Sequence, residues 1–404
     1  MKIEEVFYIN REDFLIYNQN IIYFDSAATT LKPKILSETL ADYYNNYSAN
    51  AHRGEYGISL RVNEMYEKSR KLVANFINAS ESEIIFTNNT TDSLNKIVIG
   101  FFENYLSSGD EVLLTKSEHA SNVLPWFELV KKKGIIVNYI SLNDDLALTL
   151  ENVKSAITER TKVISISHIT NVVGDIRPVK EIVELARQHN VLVVCDGAQS
   201  VPHMKVDVKD LDVDFLAFSA HKMCGPTGLG ILYGKMELLR QFKPVTVGGG
   251  MNSSFDFNGD IIYSKIPHCF EAGTPNIAGV IAFGAIIEYL NSIGIDNIHD
   301  YEKRLREYAI AKLEEIPNIL IYNKHSESGI ITFNLENVFA QDIAVYLNKQ
   351  NICIRAGTHC SKILKSDLGI KNTCRISLYF YNNEEEIDIL VSALKNENII
   401  NEII

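Results

Sequence analysis

The chain has 404 residues, 51 of them acidic and 39 basic, for a formal charge of −12 at neutral pH. At roughly 150 residues per domain it holds two to three domains; 46% hydrophobic and 22% charged residues exclude disorder as the main state and a collagen-like or coiled-coil rod. The acidic balance argues against nucleic acid as a partner, which needs clustered Lys and Arg, and no apolar run reaches the roughly 18 residues of a membrane span.

The opening residues, Met1-Lys2-Ile3-Glu4-Glu5, lack a basic region followed by an apolar stretch, so no signal peptide is expected. The six cysteines, at 195, 224, 269, 353, 360 and 374, form no CxxC pair. They read as the reduced thiols of a cytoplasmic protein, most of them core residues.

In chain order, the first 20 residues have weak periodicity and are expected to form an arm that packs on a smaller domain. Ser59 to Ile77 places Leu60, Val62, Met65, Tyr66, Leu72, Val73 and Phe76 at helical spacing. Glu83–Thr87 predicts a strand and Ser93–Ile99 a helix. Glu111–Leu114 and Ile135–Val137 predict strands, with Lys131-Lys132-Lys133 between them as the solvated end of a helix. Val163–Ile166, Val191–Cys195 and Asp214–Phe218 read as strands and Val179–His189 as a helix. Several of these strands are continuous Val- and Ile-rich runs, as in strands buried on both faces. Their alternation with helices predicts βαβ units and a doubly wound, mainly parallel α/β domain at about 21–280.

From about 281 to 404 the texture changes to a smaller α+β domain. An apolar helix pattern over Val280–Leu290 leads to a charged one over Asp300–Glu315. Strands are expected at Gly329–Asn334, Ile352–Arg355 and Cys374–Leu378, with helices at Ala340–Lys349 and Asn383–Lys395.

Ligands of doubly wound sheets bind at the carboxyl ends of the strands, and the residues there are polar. Asp196-Gly197-Ala198-Gln199-Ser200 follows one strand, Ser219-Ala220-His221-Lys222 the next and His168-Ile169-Thr170-Asn171 a third. Thr115 to His119 and Thr87 to Asp92 follow two more. A strand-end lysine in a closed cleft has its pKa lowered and becomes a nucleophilic amine able to condense with an aldehyde. Asp196 then sits where a carboxylate would face a pyridinium nitrogen. Thr90-Thr91, before a helical stretch, suit either a phosphate or a simple N-cap. His119 suits ring stacking or proton transfer.

With these residues in place the chain resembles the class V aminotransferase-like pyridoxal phosphate enzymes, and within them the cysteine desulfurases of the SufS/CsdA group. The resemblance rests on ordered motifs across nearly the whole chain: Tyr23-Phe24-Asp25-Ser26-Ala27-Ala28-Thr29, Ala51-His52-Arg53-Gly54, Asn89-Thr90-Thr91, Glu118-His119 and His168 to Gly174. It continues through Asp196 to Ser200, Ser219 to Lys222, Gly225-Pro226-Thr227-Gly228, Phe270 to Asn276 and Arg355-Ala356-Gly357-Thr358-His359-Cys360. The pattern departs from the usual one at Asn88-Asn89 and after Cys360, where the chain reads Ser361-Lys362-Ile363-Leu364-Lys365-Ser366.

The resemblance implies a fold type I architecture with a large, mainly parallel seven-stranded sheet domain. It implies that Lys222 holds pyridoxal phosphate covalently, that Asp196 pairs with the pyridine nitrogen and Gln199 with the ring oxygen, and that His119 stacks on the ring. Asn171 would lie near the ring oxygen or the substrate. Thr90, Thr91, Ser219 and His221 would hold the phosphate, with Thr274 reaching the phosphate of the partner in a homodimer. Arg375, helped by Arg355, would bind the substrate carboxylate. Cys360 matches the cysteine that carries a persulfide, its thiolate favoured by an adjacent His or Arg and its turn permitted by Gly357. The implied reaction converts L-cysteine to L-alanine and passes the sulfur to a SufU- or SufE-like acceptor for iron–sulfur cluster assembly. A selenocysteine lyase or another class V lyase or aminotransferase is the alternative, and a non-catalytic sulfur-carrier scaffold a third reading. A zinc site from His359, Cys360 and Cys374 fits no structural zinc spacing, so no metal is expected.

Overall fold

A computed structural model describes residues 11–51, 54–322, 324–396 and 399. His52 and Arg53 of the second motif, and residues 1–10 of the expected arm, lie outside the described residues.

The larger sheet has seven strands: β1 (Ile84–Thr87), β2 (Glu111–Thr115), β3 (Ile136–Ile140), β4 (Thr161–Ser167), β5 (Leu192–Asp196), β6 (Phe215–Ser219) and β7 (Gly230–Gly234). Their spatial order is β1-β7-β6-β5-β4-β2-β3. All neighbours are parallel except β7, which runs antiparallel to both β1 and β6. The fold is thus the mainly parallel α/β architecture that the strand–helix alternation predicts.

The continuous apolar runs have a physical reason: both faces of the sheet are covered. Alternate residues of one strand enter different cores, Ile84 and Phe86 on one side and Ile85 on the other, Cys195 on one side and Val194 on the other. Lys131 to Lys133 close the helix Ala120–Lys133, which ends at Gly134 in a left-handed cap.

The apolar helix Ile277–Ile293 packs in the first of these cores. It is followed, after a bend of 68°, by Ile295–Leu313, whose buried face belongs to a separate core with the C-terminal strands. There a four-stranded antiparallel sheet has the order Ile319–Tyr322, Ile330–Leu335, Thr373–Ser377, Arg355–Gly357. The expected strand Ile352–Arg355 is split: Ile352 and Cys353 pair with Ile22 and Tyr23, while Arg355 joins the other sheet. Residues 11–19 form two short 3₁₀ turns. Phe14 packs on Phe380 and Tyr381, and Arg11 pairs with Glu386. Among the described residues no single helix is long and apolar enough to cross a membrane.

Candidate active site

A cavity of about 400 Å³ opens at the carboxyl ends of β1, β2, β4, β5 and β6. All the site residues anticipated from sequence line it except Thr274. Thr274 lines a different cavity together with Asp92, Lys96 and Gly228.

Lys222 ends a single 3₁₀ turn that directly follows β6. Burial draws its pKa down to about 8, against the pull of Asp196; Arg375 and Arg355 lower it further. Asp196 is the last residue of β5 and is buried. Its Oδ1 accepts the Ala198 N–H at 3.0 Å. Burial raises its pKa to about 6, with Ala198 N–H and Lys222 acting in the opposite direction. The Gln199 amide donates to the Ala27 carbonyl at 2.8 Å, and its other end is buried without a protein partner.

At the far side, helix Thr90–Ile97 starts three residues earlier than the stretch the spacing marks, with Asn89 as its N-cap accepting from the Asp92 N–H at 2.9 Å. Gly230 of β7 allows this: a Cβ there would lie 2.5 Å from the Asn89 backbone. Ser219 Oγ accepts the Thr90 N–H at 2.7 Å and bonds its hydroxyl at 2.5 Å. Thr91 Oγ1 bonds Ser121 Oγ at 2.7 Å, and Ser121 Oγ bonds His119 Nδ1 at 3.0 Å.

His119 caps helix Ala120–Lys133, its Nδ1 accepting the Ser121 N–H at 3.2 Å. That bond leaves the neutral ring's proton on Nε2. Burial first, then the charges of Lys222, Arg355 and Arg375, lower its pKa to about 4. His221 is likewise neutral, lowered to about 4 by burial, Lys222 and Lys32.

The Cys360 segment comes from the C-terminal unit. His359 and Cys360 both adopt left-handed backbone, φ 52 and 59, and Gly357 has φ 133. Such a pair of non-glycine residues is strained and is held by neighbours. Cys360 O accepts the Ala120 N–H at 2.9 Å. Asn171 Nδ2 donates to His359 O at 2.7 Å, and Ser361 Oγ donates to Asn171 Oδ1 at 3.2 Å. The Asn171 amide, anticipated at the ring oxygen or the substrate, is thus engaged at both ends by the Cys360 loop. Cys360 itself is exposed, and Cys195, Cys224, Cys269 and Cys374 are buried.

Arg375 is buried, with Nη2 on Asp25 Oδ1 at 2.9 Å and Nη1 on Asn171 O at 2.8 Å, while Nε has no partner. Burial lowers its pKa, opposed by Asp25. Arg355 stands directly opposite it on the neighbouring strand.

Sequence reasoning missed Ser121, which links the Thr91 and His119 side chains. It also missed the Asp25–Arg375 pair, although Asp25 lies in a quoted motif. The signal for Ser121 was its place two residues after a capping His; nothing local announces a pair 350 residues apart.

The residue set fits pyridoxal phosphate. A depressed lysine, a buried carboxylate, an orphaned amide end and a hydroxyl-rich helix start converge on one cavity, and three cations face it against one carboxylate, which suits an anionic ligand. Residues 22–390 match the aminotransferase class-V family, and the chain belongs to that family. It is 43% identical, over 93% of its length and 92% of the relative's, to a probable cysteine desulfurase of Halalkalibacterium halodurans. It is 41% identical to a cysteine desulfurase of Haloferax volcanii, over 93% and 88% of the two chains. Among solved structures, a cysteine desulfurase of Thermococcus onnurineus superposes with a TM-score of 0.92 at 36% identity, covering 96% of this chain and 98% of that one. The cysteine desulfurase CsdA of Escherichia coli does so with 0.91 at 31%, covering 98% and 100%.

Proposed function

We propose that the protein is a pyridoxal phosphate-dependent cysteine desulfurase that uses Cys360 as the sulfur acceptor. The observation that carries this reading is an exposed cysteine, on a loop tied by hydrogen bonds to Ala120 and Asn171, at the cavity that holds Lys222 and Asp196. The named relatives support the substrate.

When bound, pyridoxal phosphate supplies the electron sink for negative charge at the substrate α-carbon. Arg375 and Arg355 bind the substrate carboxylate. Asp196 would hold a proton on the ring nitrogen, and the second Nε2 hydrogen of Gln199, beside its bond to Ala27, would serve the ring oxygen. Lys222, whose pKa near 8 lets the neutral amine exist near neutral pH, takes the α-proton and returns it. His119, neutral with its proton on Nε2, would stack on the ring. Thr90, Thr91, Ser219 and His221 would hold the phosphate. Cys360 thiolate attacks the substrate sulfur: an S–S bond forms and the Cβ–S bond breaks. The electron pair of the broken bond stays with the carbon, which takes up a proton, so L-alanine leaves and the sulfur remains as the Cys360 persulfide. Electrons and atoms balance without an outside oxidant or reductant. The persulfide is a reversible cap that a second thiol removes.

The division of labour assigns the cofactor to residues 21–280 and the nucleophile's loop to 281–404, with the N-terminal arm as a brace across the latter. A homodimer fits the separation of Thr274 from its own cavity and the exposed apolar hairpin Asn252–Phe255 and Ile261–Tyr263. A cytoplasmic location and a SufU- or SufE-like acceptor feeding iron–sulfur assembly follow from the resemblance alone.

The test is a single turnover with L-cysteine and no reductant, followed by protein mass analysis. A mass increase of one sulfur atom on the peptide containing Cys360, with L-alanine released, supports the reading. L-Alanine without that increase removes Cys360 from it.

A further inference from the structure

One partly buried cation, Lys32, holds the chain at Lys222 and takes no part in the mechanism above. The Lys32 ammonium donates to the His221 carbonyl at 2.6 Å. The same oxygen is approached by Thr29 Oγ1 at 3.0 Å, Thr30 Oγ1 at 3.2 Å and the Thr30 N–H at 3.1 Å. A carbonyl oxygen has two lone pairs, so four donors around one is unusual. The Thr30 hydroxyl also accepts the Cys224 N–H at 2.7 Å. The segment 29–32 therefore grips the chain on both sides of Lys222.

Among the described residues Lys32 has no carboxylate within ion-pair distance, its other contacts being the hydroxyls of Thr29 and Thr30 at 3.4 and 3.3 Å. Burial draws its pKa down to about 8. An ammonium removed from water without a counter-ion is unfavourable, whereas its bond to a carbonyl is of the strong, charge-assisted kind. The carbonyl it grips belongs to the peptide joining His221 to Lys222, and that turn is only three residues long. The Met223 N–H closes the turn on the Ala220 carbonyl at 3.0 Å, but the His221 carbonyl takes no helix or strand bond of its own, and the grip is what holds it.

We propose that Lys32 is a positioning residue for Lys222: with the hydroxyls of Thr29 and Thr30 it clamps the His221 carbonyl and so fixes the peptide that presents the Lys222 amine and the His221 imidazole to the cavity. This rests on the reading of Lys222 as the cofactor lysine. The positive charge also stands behind His221, on the wall assigned to the phosphate.

The experiment measures covalent capture of pyridoxal phosphate by the apoprotein. Borohydride quenches aliquots in time, and peptide mass analysis locates the cofactor. Thermal unfolding of each apoprotein runs alongside. Lys32→Met is expected to capture cofactor about tenfold more slowly, the scale of one charge-assisted hydrogen bond. Its apoprotein melting midpoint should stay near native, and Lys32→Arg, which keeps the charge, should recover most of the rate. Native capture by Lys32→Met overturns the proposal. So does slowing that appears equally in Lys32→Arg and follows a fall in melting midpoint. If Lys32→Met gives no folded protein, Lys32→Gln decides on the same terms, slow capture supporting and native capture overturning. Cofactor trapped on a peptide lacking Lys222 in the native protein would instead defeat the reading of Lys222 itself.

Discussion

Arg355 and Arg375 sit directly opposite each other on neighbouring antiparallel strands, and both face the cavity. Like charges in that position are destabilising. Asp25 neutralises only Arg375, at 2.9 Å, and Arg375 Nε is left buried with no partner. The pair is arranged for an anion that arrives from outside, the place proposed above for the substrate carboxylate.

Removing one arginine should therefore weaken substrate binding. In Arg355→Ala, KM for L-cysteine is expected to rise about tenfold or more, the equivalent of ~1.5–3 kcal/mol for a hydrogen bond to a charged group. Steady-state kinetics on cofactor-saturated protein checks this. An unchanged KM would take Arg355 out of the substrate site.

Lys222 gives a pH prediction with a definite sign. Only the neutral amine attacks an aldehyde, and burial has lowered its pKa to about 8. Capture of pyridoxal phosphate by the apoprotein should rise with pH and level off just above 8. A lysine with the ordinary value near 10.4 would keep rising to pH 10 and beyond. Below about pH 6, Asp196 of the apoprotein becomes protonated and offers the ring nitrogen no anionic partner, so capture of the cofactor by the apoprotein should weaken there.

The loop anchor at Ser361 should affect rate modestly. Ser361→Ala removes one neutral bond to Asn171, worth about 0.5–1.5 kcal/mol, so kcat should fall by roughly two- to tenfold. KM and the visible absorption of bound cofactor should not change. A full loss of activity would mean that the loop depends on this bond far more than its geometry indicates.

Behind His119, Glu118 is fully enclosed with Arg177, and it also accepts from Ser167 N–H at 2.8 Å and Asn122 at 2.9 Å. Breaking a buried ion pair from one side costs about 3–5 kcal/mol. Glu118→Gln should lower the denaturant midpoint of the apoprotein accordingly. A midpoint equal to native would show the pair to be solvated.

Much of this was legible because it is local. Runs such as Val191–Cys195 announce strands covered on both faces, and the polar residue after each run marks the cavity. Strand β7 was not legible: Gly230 and Gly234 bound a run of three apolar residues, and the glycine is there for close approach to Asn89, which only the tertiary fold shows. The split of Ile352–Arg355 between two sheets has the same origin, since the choice of partner lies with Ile22 and Tyr23, some 330 positions away. The roles of Lys222 and Cys360 came from the ordered motifs as a set, because a lysine or a cysteine alone carries no such meaning. The engagement of Asn171 with the Cys360 loop was hidden because the loop arrives from the other unit of the chain.

The most direct test of the central claim compares the native protein with Cys360→Ala, both loaded with pyridoxal phosphate and given L-cysteine and a thiol reductant. The account predicts equimolar L-alanine and sulfide from the native protein. It predicts neither from the variant, whose visible cofactor absorption is unchanged. Undiminished L-alanine from Cys360→Ala would contradict it and point to a lyase that releases the chalcogen without a protein thiol.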